Sequence, residues 1–441
     1  MNNKILAVAT AVILAGGTIS TAEAVSIFDS RSASGSYNGL QWSARSMLVG
    51  VTNTGTTGNT AGDPIYHPTY PAFGGAVHLL MDFGPGGQFI CSGSLLPDRR
   101  SILTAGHCVS SGAGTANPQG TTVFFQPDGG IPPGTRIQNG GIPNGGAVTR
   151  QVTDYFVNPL YTGDVIDQND IAVLRLNEEA PAWALAYELY TDRDLTGDDF
   201  TVAGYGLLGE GNTGANNFAA RLRQGDNMYD FRLGDPLFNG GWAAVLGEPA
   251  SQIAYSWVSD FDNGLAANDT ACRVAQASNL AGANGAVFCD LGRGAREVGV
   301  AGGDSGGPNF VNGLISAVNS YGLTFGTDWG DIFCVPGNCV NSSFGEFSGH
   351  GSVYLHTDFI RPSIVVPSVP ETGSLALLGL GLVGLGLSRR RKGRTDRCAQ
   401  RLEEFRIAVR VRIGPPVRGS VEELYGSPPA TCPSCRKLLI L

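Results

Sequence analysis

From residue 75 to about 362 the chain repeats one pattern, a short apolar run closed by a glycine-rich turn. The runs include "GGAVHLLMDF", "FICSGSLL", "SILTAGHCV", "TTVFFQ", "DIAVLRL", "FTVAGYG", "GLISAVNSYG" and "SVYLHTDFI". Runs of this length, rich in β-branched and aromatic residues, predict strands, and no sustained 3.6-residue periodicity argues for α/β. The region is therefore expected to form an all-β barrel or sandwich.

The flanks carry other patterns. "MNNKILAVATAVILAGGTISTAEA" has one early positive charge, an apolar run from Ile5 to Leu14 and the small-x-small end Ala22-Glu23-Ala24. This is the form of a signal peptide over 1–24, cut by signal peptidase and leading to export. Residues 25–72 are polar and turn-rich and predict a propeptide or loose N-terminal extension; 73–365 form the main domain. Thr372–Ser388 is an uncharged stretch of 17 residues, the lower limit for a spanning helix, and Arg389, Arg390, Arg391 and Lys392 follow at once. Transient membrane contact through 372–388 is expected, with the body facing outward. The basic remainder, 393–441, predicts a disordered tail.

Composition supports the all-β reading: Gly makes up 64 of 441 residues beside 24 Pro. The net charge of -9 divides unevenly, because 389–441 hold 13 Lys/Arg against 5 Asp/Glu, +8, which leaves -17 for residues 1–388. Such a body repels nucleic acid, so none is expected as a partner. In an oxidising compartment six of the nine cysteines pair as near neighbours: Cys91 with Cys108, Cys272 with Cys289, Cys334 with Cys339. "CPSC" at 432–435 lacks the four ligands of a zinc site. No metal and no cofactor are expected.

"AGGDSGGPNF" sets Ser305 among glycines. A serine hydroxyl needs a base to become a nucleophile, and the oxyanion it generates needs fixed N–H donors. Ser305 is the candidate nucleophile, with the backbone N–H groups of Gly303 and Ser305 as oxyanion hole. Of five histidines, His107 in "LTAGHCV" adjoins Cys108, whose disulfide would pin it, and it is the candidate base. Asp170 precedes the apolar run of "NDIAVLRL" and is the candidate orienting carboxylate; Asp164 and Asp167, in the preceding polar turn, are read as solvated.

"LTAGHC", "DIAVLRL" and "GGDSGGP", in the order His, Asp, Ser, resemble the chymotrypsin-like (trypsin-fold) serine endopeptidases across roughly residues 75–362. The resemblance implies two six-stranded antiparallel β-barrels with His107, Asp170 and Ser305 at their junction, and a polypeptide substrate. It also implies a specificity pocket formed by Gly299, Ser320, Gly322 and Ser352. Gly299 stands where trypsin-like members place an aspartate, so the pocket reads as neutral and suited to apolar side chains, provided Asp328 and Asp331 stay out of it. Ala301 replaces a cysteine common in the family. Activation in that family pairs a new N-terminus with the aspartate before the serine, here Asp304. "RSMLVGV" offers Leu48 as an approximate match; otherwise another group satisfies Asp304.

"VPETGSLALLGLGLVGLGLSRRRKG" resembles a PEP-CTERM sorting signal over 366–392, which implies an exosortase-type processing enzyme and the surface of a Gram-negative bacterium; the sortase-like "VPETG" makes wall anchoring the runner-up. A catalytically inactive trypsin-fold adhesive or matrix protein is the alternative to a protease.

Overall fold

The computed structural model describes residues 32–364 apart from 46–47, 51–63, 69–70, 113–114, 127–136, 139–141, 144–146, 218–221 and 335–338. The expected signal peptide, sorting segment with its 372–388 stretch, and basic tail lie outside these residues. Among the described residues no helix is long and apolar enough to cross a membrane.

Six strands close into a barrel in the order Val148–Val157, Ala172–Leu176, Ser101–Thr104, Gln88–Leu95, Ala76–Asp82 and Gly120–Phe125. Their two-residue alternation decides what fills it. Val77, Leu79, Met81, Ile102, Val123, Phe125 and Leu174 pack inside, each burial contributing roughly 1.5–3 kcal/mol. On the opposite face Ala76, Leu103 and Val173 join Ala203, Phe310, Ile315 and Val318 in a second cluster. In Ala76–Asp82, Ser101–Thr104 and Ala172–Leu176 both faces are buried, which is why they read as nearly continuous apolar runs, whereas Val148–Val157 keeps one face exposed.

The partners in that second cluster belong to a nine-stranded antiparallel sheet. Its main path runs Arg223–Met228, Asp199–Gly204, Pro308–Val311, Leu314–Thr324, Phe347–Ser352, Ser256–Asp260 and Phe231–Arg232. The fold is thus mostly β, as expected, but the second barrel does not close. The two edge strands are consecutive in the chain, separated by Tyr229 and Asp230 alone, and each pairs with a different neighbour. Among the described residues no ladder joins its two edges.

Two other expectations need correction. Residues 33–45 are not a loose extension: the hairpin Ala33–Tyr37 and Leu40–Arg45 pairs with Leu314–Thr324, and Leu40, Trp42 and Ala44 enter the core. The indole N–H of Trp42 donates to the Val245 carbonyl at 2.9 Å. "SVYLHTDFI" is mainly helical, with a 3-10 turn Tyr354–His356 and an α-helix Thr357–Ser363. Val353, His356, Ile360 and Ser363 are all buried on one side, and the spacing of three to four residues is the helical signal that the β-branched and aromatic content masks. Disulfides join Cys91 to Cys108, Cys272 to Cys289 and Cys334 to Cys339.

Candidate active site

Asp170 lies just before the strand Ala172–Leu176 and is carried into the interior, 1% exposed. Both its oxygens are engaged by the His107 segment: Oδ1 accepts the His107 backbone N–H at 2.7 Å, and Oδ2 faces His107 Nδ1 at 2.7 Å. Ser320 Oγ donates to the same Oδ2 at 2.5 Å. Burial alone would raise the Asp170 carboxyl, but the His107 ring and the hydrogen bonds from His107 and Ser320 hold it below the usual range. The carboxylate is ionised and fixes the ring through Nδ1, which directs Nε2 away from it. The His107 side chain keeps 17% exposure. His350 and His356 are buried, their rings engaged with Ser259 and Asn309, and with Asn158 and the Gln168 carbonyl; desolvation pushes them down to about 3 and about 4. Asp167, read as solvated, is buried instead, and its carboxylate holds the turn by accepting from Thr162 and Asn169. Asp164 is the exposed member of that turn, accepting from Thr162 and Gln252.

The Ser305 loop is fastened to the His107 side of the barrel by backbone. Ser92 N–H donates to the Ser305 carbonyl at 2.8 Å, and Ser92 Oγ donates to the Gly303 carbonyl at 2.9 Å while accepting from Tyr205 N–H. Cys108 Sγ, next in sequence to His107, lies 3.7 Å from the Ser305 carbonyl oxygen. Two glycines make this approach possible. Gly306 has φ +76, and a Cβ there would meet Thr104 Oγ1 at 2.0 Å; Gly303 has φ +99, and its Cβ would meet Ile90 Cδ1 at 2.9 Å. Ser305 itself is 5% exposed. His107, Asp170 and the Ser305 backbone thus meet where the barrel contacts the sheet. Ser92, a residue the sequence does not single out, ties them together.

Asp304 is fully buried. Its Oδ1 accepts from Gly206 N–H at 2.8 Å, whereas no donor among the described residues reaches Oδ2. Arg223, also buried, donates to the carbonyls of Gly206 and Leu207 and attracts Asp304 without forming an ion pair. Burial outweighs that attraction and pushes the Asp304 carboxyl up to about 8. Leu48 begins the strand Leu48–Gly50, which pairs antiparallel with Val298–Val300, Leu48 opposite Val300. Leu48 therefore sits across from the residue four before Asp304.

The expected pocket residues are spread over three neighbouring strands. Gly299 pairs with Val49 and lies against Phe261, whose ring would meet an added Cβ at 3.1 Å. Gly322 pairs with Ser348 on one side and Arg45 on the other, and Ser352 is buried opposite Ala317. Ser320 differs from expectation in that its hydroxyl is committed to Asp170. Asp331 accepts from Thr324, Ser343 and Phe333, while Asp328 is exposed.

Residues 76–227 match the trypsin family, and residues 368–392 match the PEP-CTERM protein-sorting motif. No curated protein matches the chain. Among solved structures, HL collagenase aligns with TM-score 0.41 and 15% identity over 68% of this chain and 98% of its own. Neuropsin, a serine protease expressed in the limbic system of mouse brain, aligns with TM-score 0.41 and 17% identity over the same shares. Within the β domain the chain is thus similar to the trypsin family over residues 76–227, and beyond that domain residues 368–392 match the PEP-CTERM protein-sorting motif.

Proposed function

We propose that the protein is an exported, surface-sorted serine endopeptidase that cleaves polypeptides through an acyl-enzyme. Ser305 Oγ attacks the scissile carbonyl carbon as its proton passes to His107 Nε2, and the N–H groups of Gly303 and Ser305 receive the oxyanion. Collapse breaks the C–N bond, with His107 returning the proton to the leaving amine. Water, deprotonated by the same ring, then releases the acyl group. Asp170 holds the imidazole in the required tautomer and stabilises its charged form.

The observation that carries this reading is the Asp170 carboxylate, buried, kept ionised, and facing His107 Nδ1 at 2.7 Å. The pocket bounded by Gly299, Gly322 and Ser352 is proposed to take an apolar or aromatic side chain, supported by the engagement of Asp331 within its own loop. Signal peptidase and an exosortase-type enzyme are the proposed processing partners, with transient membrane contact through 372–388. The domain boundaries at 24, 365 and 392 belong to the same proposal, whereas the boundary at 72 yields to the hairpin 33–45, which pairs within the β domain.

A fluorophosphonate reagent applied to the full chain, before and after limited proteolysis, tests the chemistry. Label on Ser305, absent from Ser305→Ala, is the expected result; no label under either condition rejects it. One observation favours a second reading, an inactive trypsin-fold module: Asp304, beside the oxyanion donors, is buried with one oxygen unpartnered. Casein cleavage by the parent but not by Ser305→Ala excludes that alternative.

A further inference from the structure

Asp260, Asp262 and Asp269 are each 3% exposed. One carboxylate oxygen from each lies within 4.8 Å of those from the other two. Asp260 ends the strand Ser256–Asp260, and its Oδ2 accepts from Ala271 N–H at 2.8 Å. Asp269 caps the helix Thr270–Ala275 through Cys272 N–H at 2.8 Å. Asp262 is the outlier: its Oδ1 is buried with no donor among the described residues.

The surroundings deepen the deficit of positive charge. Asp230, Asp290 and Glu297 face the same centre. Arg293 pairs with Asp199 and Asp290, and Arg273 donates to the carbonyls of Ala267 and Asp328, so neither forms an ion pair with the central three. Buried like charges at this spacing are stable only if neutralised by protons or by a cation.

We propose that Asp260, Asp262 and Asp269 hold a calcium ion. The donors are oxygen alone, since the adjacent Cys272 and Cys289 are tied in a disulfide. Calcium, with oxygens at roughly 2.3–2.6 Å, touches atoms up to about 5 Å apart, whereas magnesium, at roughly 2.0–2.1 Å, reaches only about 4 Å and keeps more of its water. The ion has a structural consequence for the candidate pocket. Phe261, between two of the ligands, packs on Gly299, and Glu297, which accepts from Asp262 N–H, leads directly into the strand Val298–Val300. Binding here would lock that strand against Ser256–Asp260. The expectation of no metal, drawn from cysteine spacing, does not address such a site.

The test uses the full chain carrying Ser305→Ala to prevent self-digestion, stripped with EDTA and titrated with calcium chloride or magnesium chloride by calorimetry and thermal melting. Calcium at about a hundred times its Kd should raise Tm by roughly 5–10 °C, and magnesium far less. Asp262→Asn should weaken calcium at least about 10-fold and, in EDTA, melt no lower than the parent. Asp269→Asn keeps a capping oxygen for Cys272 N–H, so it covers failure of the first variant to fold, and it should weaken calcium as well. No heat and no Tm shift up to about 10 mM calcium would overturn the proposal, as would an undiminished shift in both variants; an acidic cluster that shares protons would give that result. Neither readout depends on peptide cleavage.

Discussion

Ser320 Oγ and His107 Nδ1 converge on one oxygen, Oδ2 of Asp170, at 2.5 Å and 2.7 Å. The hydroxyl compensates part of the burial that would otherwise protonate the carboxylate. A hydrogen bond to a buried charge is worth about 1.5–3 kcal/mol. Ser320→Ala should accordingly lower kcat/KM by about 10- to 100-fold through kcat with little change in KM. Asp170→Asn, which removes the acceptor charge itself, should lose about 10⁴-fold. Steady-state kinetics on active-site-titrated enzyme distinguishes the two.

Asp304 is raised to about 8, above its unfolded value near 3.8, so it binds a proton more tightly when folded and its stability contribution is lost as pH rises through that interval. If cleavage before Leu48 delivers an amine to its unpartnered oxygen, the folded carboxyl drops and that loss disappears. The cut chain should therefore melt above the uncut chain, and the gap should widen between pH 5 and 8. Asp304→Asn should abolish both the gap and any gain in activity on cutting. N-terminal sequencing with paired melting curves reads these outcomes.

Cleavage after Phe, Tyr or Leu should exceed cleavage after Arg in a peptide library. Gly299→Asp should raise the Arg-to-Phe ratio at least about 10-fold, since a carboxylate there would face a basic side chain. The same change presses on Phe261, which an added Cβ would meet at 3.1 Å, so it should also lower Tm.

The calcium site carries a pH signature. Asp260 is raised to about 8 and Asp269 to about 6, with Asp262, Asp230 and Glu297 also raised. Raised folded values mean that apo stability falls as pH climbs. His350 and His356, held neutral when folded, add an opposing slope only up to their unfolded value near 6.5. Between pH 7 and 8.5, Tm in EDTA should decline, and the calcium-dependent increment should grow because fewer protons compete for the ligands. Melting curves at fixed free calcium check both slopes.

The barrel was legible because Val77, Leu79 and Met81 alternate inward while the intervening His78 and Leu80 are also buried, which gives a nearly continuous apolar run. The three motif segments were legible because His107, Asp170 and Ser305 each carry local chemistry. The hairpin at 33–45 was not, since its apolar residues Leu40, Trp42 and Ala44 are few and acquire meaning only against distant Phe231 and Trp242. Arg223 and Ser92 act through long-range hydrogen bonds that no spacing announces. The acidic cluster is assembled from residues between 230 and 297, each unremarkable in its own stretch.

The hairpin strand Leu40–Arg45 also has a consequence for traffic at the cleft. Ser43, Ala44 and Arg45 lie alongside Thr324, Leu323 and Gly322, while the other side of that strand pairs with Phe347 and Ser348. An incoming polypeptide that adds as an extra strand at Gly322 finds that edge already occupied by the protein's own leader-side segment. Access would then require the hairpin to yield, a competition between tethered and diffusing strands in which Trp42, anchored beneath Val245, favours the tethered one.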